Sequence, residues 1–170
     1  MKALVIGGDS KLGKRLAGHL NAPSTTRRAN VEKPTIYYDL SRSSPHTLPQ
    51  ADVIYLCAAI TQFRTCEMDF DSYIVNVDAN IAIAGHFKKS HIVYVSSEAV
   101  QWPNQTAYGA QKRACELGLL AACGYDRLCV VRPNKIAPDT LDNLCGFLAS
   151  KGTMRAAGTY TWKSELVVKQ

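Results

Sequence analysis

The 170-residue chain has no apolar run long enough to span a bilayer, which excludes a membrane-spanning helix. It also lacks paired cysteine spacing. Its six cysteines are scattered, and Cys57, Cys115 and Cys129 lie in apolar or helical contexts, so free buried thiols are expected rather than disulfides or zinc. Positive residues never run longer than two together, and the formal charge of +6 is spread over several segments. That distribution excludes a nucleic-acid-binding tail and fits a phosphate-bearing small ligand or an ordinary solvated surface. There is no repeat and no low-complexity segment. The opening Met1-Lys2-Ala3-Leu4-Val5-Ile6-Gly7-Gly8 is too short for a signal peptide, and its glycines come too early; it reads as a buried first strand. What remains is a cytoplasmic globular protein, 46% hydrophobic and 20% charged, with length for one domain and a real core.

Short apolar runs alternate with longer helical patterns, which predicts a doubly wound parallel α/β sheet with helices on both faces. Strands are expected at residues 2–6, 24–26, 35–38, 53–57, 92–95 and 128–131, the last stopped by Pro133. Helices are expected at 12–21, where Leu12, Leu16 and Leu20 recur at helical spacing, at about 67–88, and from Tyr108 to about 122. A short helix over about 140–150 leads into a polar tail with no evident core pattern. The expected organisation is a dinucleotide-binding domain over 1–139 and a short appendage over 140–170.

The first turn, Gly7-Gly8-Asp9-Ser10-Lys11-Leu12-Gly13, lies between a strand and its helix. A dinucleotide fold needs glycine there for a sharp turn, for approach to pyrophosphate and for helix–strand packing, and the helix N-terminus favours phosphate. Gly7 and Gly13 keep the outer positions of a GxxGxxG pattern, and Ser10 replaces the middle glycine. After the second strand comes Thr26-Arg27-Arg28, with no acid to bind a ribose 2′-hydroxyl, so NADP(H) is favoured over NAD(H). A solvated surface pair is the alternative. Asp39-Leu40 closes the third strand, where the carboxylate serves either an adenine amino group or a simple turn. Cys57-Ala58-Ala59 bounds the fourth strand with small residues on the expected cofactor side.

Tyr108 and Lys112 stand four residues apart and share one helical face. A cation beside a phenol is expected to lower its pKa of about 10 toward neutrality, making Tyr108 a proton carrier for a carbonyl or alcohol. Ser96-Ser97 follows the fifth strand at the carboxyl end, where a hydroxyl either hydrogen-bonds the reacting oxygen or caps the strand. Asn76 sits mid-helix, a poor place for asparagine on propensity, and either holds the lysine through a water or is an exposed bystander.

In this order, these residues resemble the short-chain dehydrogenase/reductase superfamily. The signature is the glycine-rich turn, Thr-Thr-Arg-Arg, Asp39-Leu40, Ala51-Asp52-Val53 into Cys57-Ala58-Ala59, Asn76-Val77, Val95-Ser96-Ser97-Glu98-Ala99-Val100, Tyr108 to Lys112, then Arg132-Pro133. It covers residues 1 to about 137 and is most similar to the extended branch, among dTDP-4-dehydrorhamnose reductase-like, sugar-nucleotide-binding proteins. The resemblance implies a Rossmann fold and hydride transfer from NADPH to a ketone, with Tyr108 as general acid and Ser97 orienting the carbonyl. Lys112 would hold the nicotinamide ribose, and a helix-mediated homodimer is the implied assembly. Ser97, not Ser96, matches the family serine, three residues before Val100. Two departures stand out. Ser97 and Tyr108 are eleven positions apart, a short loop, and the implied C-terminal substrate domain is mostly absent before Gln170. These motivate two competing readings: a non-catalytic NADP(H)-binding sensor or subunit, and a structural remnant that binds no nucleotide, to which Asp9 and Ser10 lend support.

Overall fold

Runs of β-branched and aromatic residues separated by helical patterns build a parallel sheet covered on both faces, as their alternation predicts. The computed structural model describes residues 1–28, 34–134, 136–163 and the backbone of 167–169. Strand β1 (Ala3–Ile6) leads to helix α1 (Lys11–Leu20), then β2 (Thr25–Thr26) and β3 (Ile36–Tyr37). Next come β4 (Val53–Leu56), α2 (Phe63–Met68) and the single turn α3 (Asp71–Tyr73), which passes through a π-helical turn at Ile74–Asp78 into α4 (Ala79–His86). There follow β5 (His91–Val95), α5 (Ala107–Cys123), β6 (Leu128–Pro133), α6 (Leu141–Thr153), β7 (Gly158–Trp162) and β8 (Val167–Lys169).

The main sheet has the order β1-β4-β5-β6-β7-β8, parallel throughout except for β8 at the edge. The short β2–β3 pair continues it on the other side through a single bridge from Val5 to Ser24. The chain therefore reverses its lateral progress between β1 and β4. Open α/β sheets bind ligands outside the carboxyl ends of strands at such a switch point.

Alternation along β1 divides the core. Leu4 and Ile6 face α4 and α5, packing with Ile83, Phe87, Cys115 and Leu119. Val5 faces the other way, into a cluster with Leu12 and Leu16 of α1 and Leu144, Cys145 and Leu148 of α6. Every residue of β4 and β5 is buried, as central parallel strands covered on both faces should be. All six cysteines are free thiols. Among the described residues no helix is long and apolar enough to cross a membrane.

The structure differs from the sequence reading in three places. The helix expected over about 67–88 is broken: Asp69 is extended, and its carboxylate accepts from the Asp71 N–H to restart the chain as α3. The strand expected over 128–131 runs on through Arg132 and ends at Pro133, opposite Trp162, because at a strand's last residue a missing N–H costs little. The tail expected to lack a core pattern forms β7, with Tyr160, Thr161 and Trp162 all buried. Its threonines made an inward-facing strand read as polar.

Because α6 fills one face of the sheet, it should matter to stability as a core helix does. Leu144 and Leu148 are fully buried. Truncating either to Ala is expected to cost about 2–5 kcal/mol in urea unfolding. A loss below about 0.5 kcal/mol, typical of an exposed site, would show that the segment is only laid against the domain.

Candidate active site

Most of the residues read as functional follow the carboxyl ends of strands β1 to β5, with Tyr108 and Lys112 on α5 and Asn76 in the π-helical turn. The turn after β1 is defined by close backbone contacts. Gly7 has φ +99°, and a Cβ on it would lie 2.6 Å from the Ala58 nitrogen in the loop after β4. A Cβ on Gly13 would strike the Gly7 carbonyl, and one on Gly8 would strike the Ser24 hydroxyl. Ser10 is explained by the same turn. It is the N-cap of α1, its hydroxyl accepting from the Gly13 N–H and donating to the Gly7 carbonyl, both at 2.9 Å. Lys11 is exposed at the start of α1, and the Leu12 side chain is buried in the core, leaving its backbone to line the turn.

At the end of β2, Arg27 and Arg28 are both exposed. The sequence places no acid beside them, but the fold supplies one. The Asp9 carboxylate accepts from the Thr26 hydroxyl at 2.7 Å and from the Arg27 N–H at 3.2 Å, and pairs with Arg28 at 3.5 Å. Asp39 spends one carboxylate oxygen on the N–H and hydroxyl of Ser41, the turn role foreseen as its alternative. Those bonds hold its carboxyl below the usual range, helped by Arg42 and Arg27. Leu40 packs against the core. After β4, Cys57, Ala58 and Ala59 are half-buried, and burial pushes the Cys57 thiol up to about 12.

The strand β5 and helix α5 bring together Ser97, Tyr108 and Lys112. Ser96 points away, donating to Glu116, itself held by Arg132 at 2.7 and 2.9 Å. Ser97 remains for the site. It starts a 3₁₀ turn at Glu98–Gln101, accepting from the Ala99 N–H, and its hydroxyl acts on Tyr108 to favour the phenolate. Lys112 is buried, its ammonium donating to the Val95 carbonyl at 2.9 Å and lying 4.7 Å from the centre of the Tyr94 ring. Burial pulls its pKa down to about 8, against the pull of nearby thiols and the Glu116 carboxylate.

One electrostatic expectation is reversed. Tyr108 is pushed up to about 12, because burial outweighs the opposing effect of Ser97. The Lys112 ammonium is 5.8 Å from the phenol ring centre and is turned to the Val95 carbonyl, so spacing alone overstated its effect. Asn76 is fully buried, which overturns the exposed alternative. It bonds the N–H and carbonyl of Ile60 at 2.8 and 2.9 Å and the Gln111 side chain at 2.7 Å. Gln111, overlooked in the sequence, also donates to Ser72 at 2.9 Å, linking α5 to α3. Its signal was a polar residue beside Lys112 on an otherwise core-facing stretch. Phe63 was likewise overlooked; its exposed ring lies 5.8 Å from Tyr108. Among the described residues no cluster of His, Cys, Asp or Glu is arranged to hold a metal ion.

No protein-family model matches the chain, and no curated protein matches it in sequence. Solved structures do match it. A dTDP-4-dehydrorhamnose reductase from Bacillus anthracis, in complex with NADP, is 16% identical with a TM-score of 0.77, over 99% of this chain and 77% of that one. The enzyme WbmH from Bordetella bronchiseptica, in complex with NAD+, is 13% identical with a TM-score of 0.79, over 99% and 77%. A putative NAD-dependent epimerase/dehydratase from Bacillus halodurans is 15% identical with a TM-score of 0.77, over 100% and 94%. The chain has the Rossmann fold of these reductases and epimerases. The match takes in nearly all of this chain, so α6 and β7 belong to the shared fold.

The Asn76–Gln111 network supplies a stability test. Gln111→Leu leaves buried groups of Asn76 and Ser72 without their partner and is expected to cost about 1–3 kcal/mol in denaturant unfolding. An unchanged midpoint would show that the network is not coupled to folding.

Proposed function

We propose that this chain is an NAD(P)-dependent oxidoreductase or epimerase-like enzyme of the extended short-chain dehydrogenase/reductase type. It would act on a carbonyl or alcohol, with nucleotide sugars the substrate class that the sequence resemblance implies. The observation that carries the reading is the convergence of Ser97, Tyr108 and buried Lys112 at the sheet edge that also holds the glycine turn. The residues fit a dinucleotide: the Gly7 turn opens onto the start of α1, and Ala58 packs closely beneath it. Residues 1–139 would then carry the cofactor, and both arginines after β2 argue for a 2′-phosphate while Asp9 argues against one.

A bound nicotinamide supplies or accepts the hydride. The chain's own residues handle the proton. With a pKa of about 12 in the free protein, the Tyr108 phenol stays protonated at neutral pH, which suits a donor to a developing alkoxide. Ser97 would hold that oxygen, and the Lys112 ammonium, fixed to Val95, would hold a ribose hydroxyl. Phe63 covers one side of the phenol.

Tyr108→Phe is expected to abolish carbonyl reduction while leaving dinucleotide affinity within about twofold, since only the proton donor is lost. Unchanged turnover would sink the assignment, and a non-catalytic binder would show no turnover in either form. Lys112 adds a pH signature. Its charge is present below about 8 and lost above it, so kcat/KM should fall as pH rises through that value. A profile flat to pH 10 would remove the ammonium from the mechanism.

A further inference from the structure

We propose that Asp9 decides which nicotinamide dinucleotide the chain accepts, reading the adenosine ribose 2′-hydroxyl and rejecting a 2′-phosphate. The inference rests on the dinucleotide reading above and makes NAD(H) the preferred cofactor. In dinucleotide folds the residue that reads this hydroxyl is an acid about twenty residues past the glycine turn, and an arginine near that place admits the phosphate. Here that place holds Arg27 and Arg28. The acid comes instead from the turn itself, reaching across to the end of β2.

Three observations support the role. First, Asp9 is anchored rather than free to swing: the Thr26 hydroxyl and the Arg28 guanidinium meet one oxygen, and the Arg27 N–H meets the other. Second, it remains available. Its side chain keeps 35% of its surface exposed, and an ionised carboxylate has about four acceptor positions, so room is left for a ribose hydroxyl. Third, the cations at the end of β2 already have carboxylates to answer: Arg28 pairs with Asp9, and Arg42 and Arg27 act on Asp39. A 2′-phosphate entering beside Asp9 would meet a fixed like charge, and such juxtapositions discriminate strongly against the wrong partner.

The experiment is a fluorescence titration of the full chain with NADH and with NADPH, for the wild type and for Asp9→Asn. Asparagine is isosteric and removes the charge, keeping one acceptor oxygen for either the Thr26 hydroxyl or the Arg27 N–H. NADH is expected to bind the wild type at least about tenfold more tightly, and Asp9→Asn to shrink that ratio about tenfold, chiefly through tighter NADPH. ADP and adenosine 2′,5′-bisphosphate, used as competitors, should show the same order without any nicotinamide present. NADPH bound as tightly as NADH by the wild type, or a ratio unmoved in a folded Asp9→Asn, overturns this inference and leaves the dinucleotide reading intact. Failure of the wild type to bind either cofactor overturns both. Should Asp9→Asn unfold, the wild-type preference alone decides.

Discussion

The close backbone packing of the glycine turn is the constraint on which the rest of this molecule depends. Gly7 takes a left-handed conformation against Ala58, Gly13 lies against the Gly7 carbonyl, and Gly8 lies against Ser24. Those contacts tie β1, β4, β2 and the start of α1 into one corner. A side chain at any of the three would push these elements apart. Ser10 completes the corner by capping α1 with the hydroxyl that replaces a glycine hydrogen. The residue that looked like a defect in the phosphate signature is thus part of what holds the turn closed.

Charge burial governs the other half of the site. Lys112 is kept in a dry position by one carbonyl and one aromatic face, and its acidity rises accordingly. The same dryness raises Tyr108. Both shifts push each group toward its neutral form, so the free protein holds a neutral phenol beside a lysine that discharges slightly above neutrality. The buried amides of Asn76 and Gln111 tie α5, which carries this pair, to Ile60 and to Ser72 of α3 through hydrogen bonds rather than charge.

Much of the fold was legible because its signals are local. Apolar runs at β1, β4, β5 and β6 and the leucine spacing of α1 state their own burial, and the four-residue step from Tyr108 to Lys112 fixes one helical face. What could not be read depends on partners distant in the chain. Nothing near Asn76 points to Ile60 or Gln111, and nothing near Asp9 points to Thr26, because sheet topology alone brings them together. The threonines of β7 concealed Tyr160 and Trp162, since a strand at the far side of the sheet needs no continuous apolar run. Sequence spacing gave Tyr108 a cationic neighbour but carried no measure of desolvation, which proved the larger effect.

The most direct test of the account is a crystal structure of the protein with bound NADH. The account predicts the pyrophosphate over the turn between Gly7 and Gly13, with the nicotinamide ring beside Ser97, Tyr108 and Lys112. Binding confined to the cleft at the opposite edge of the sheet, lined by Lys2, Lys88 and Lys89, or no bound dinucleotide at saturating concentration, would contradict it.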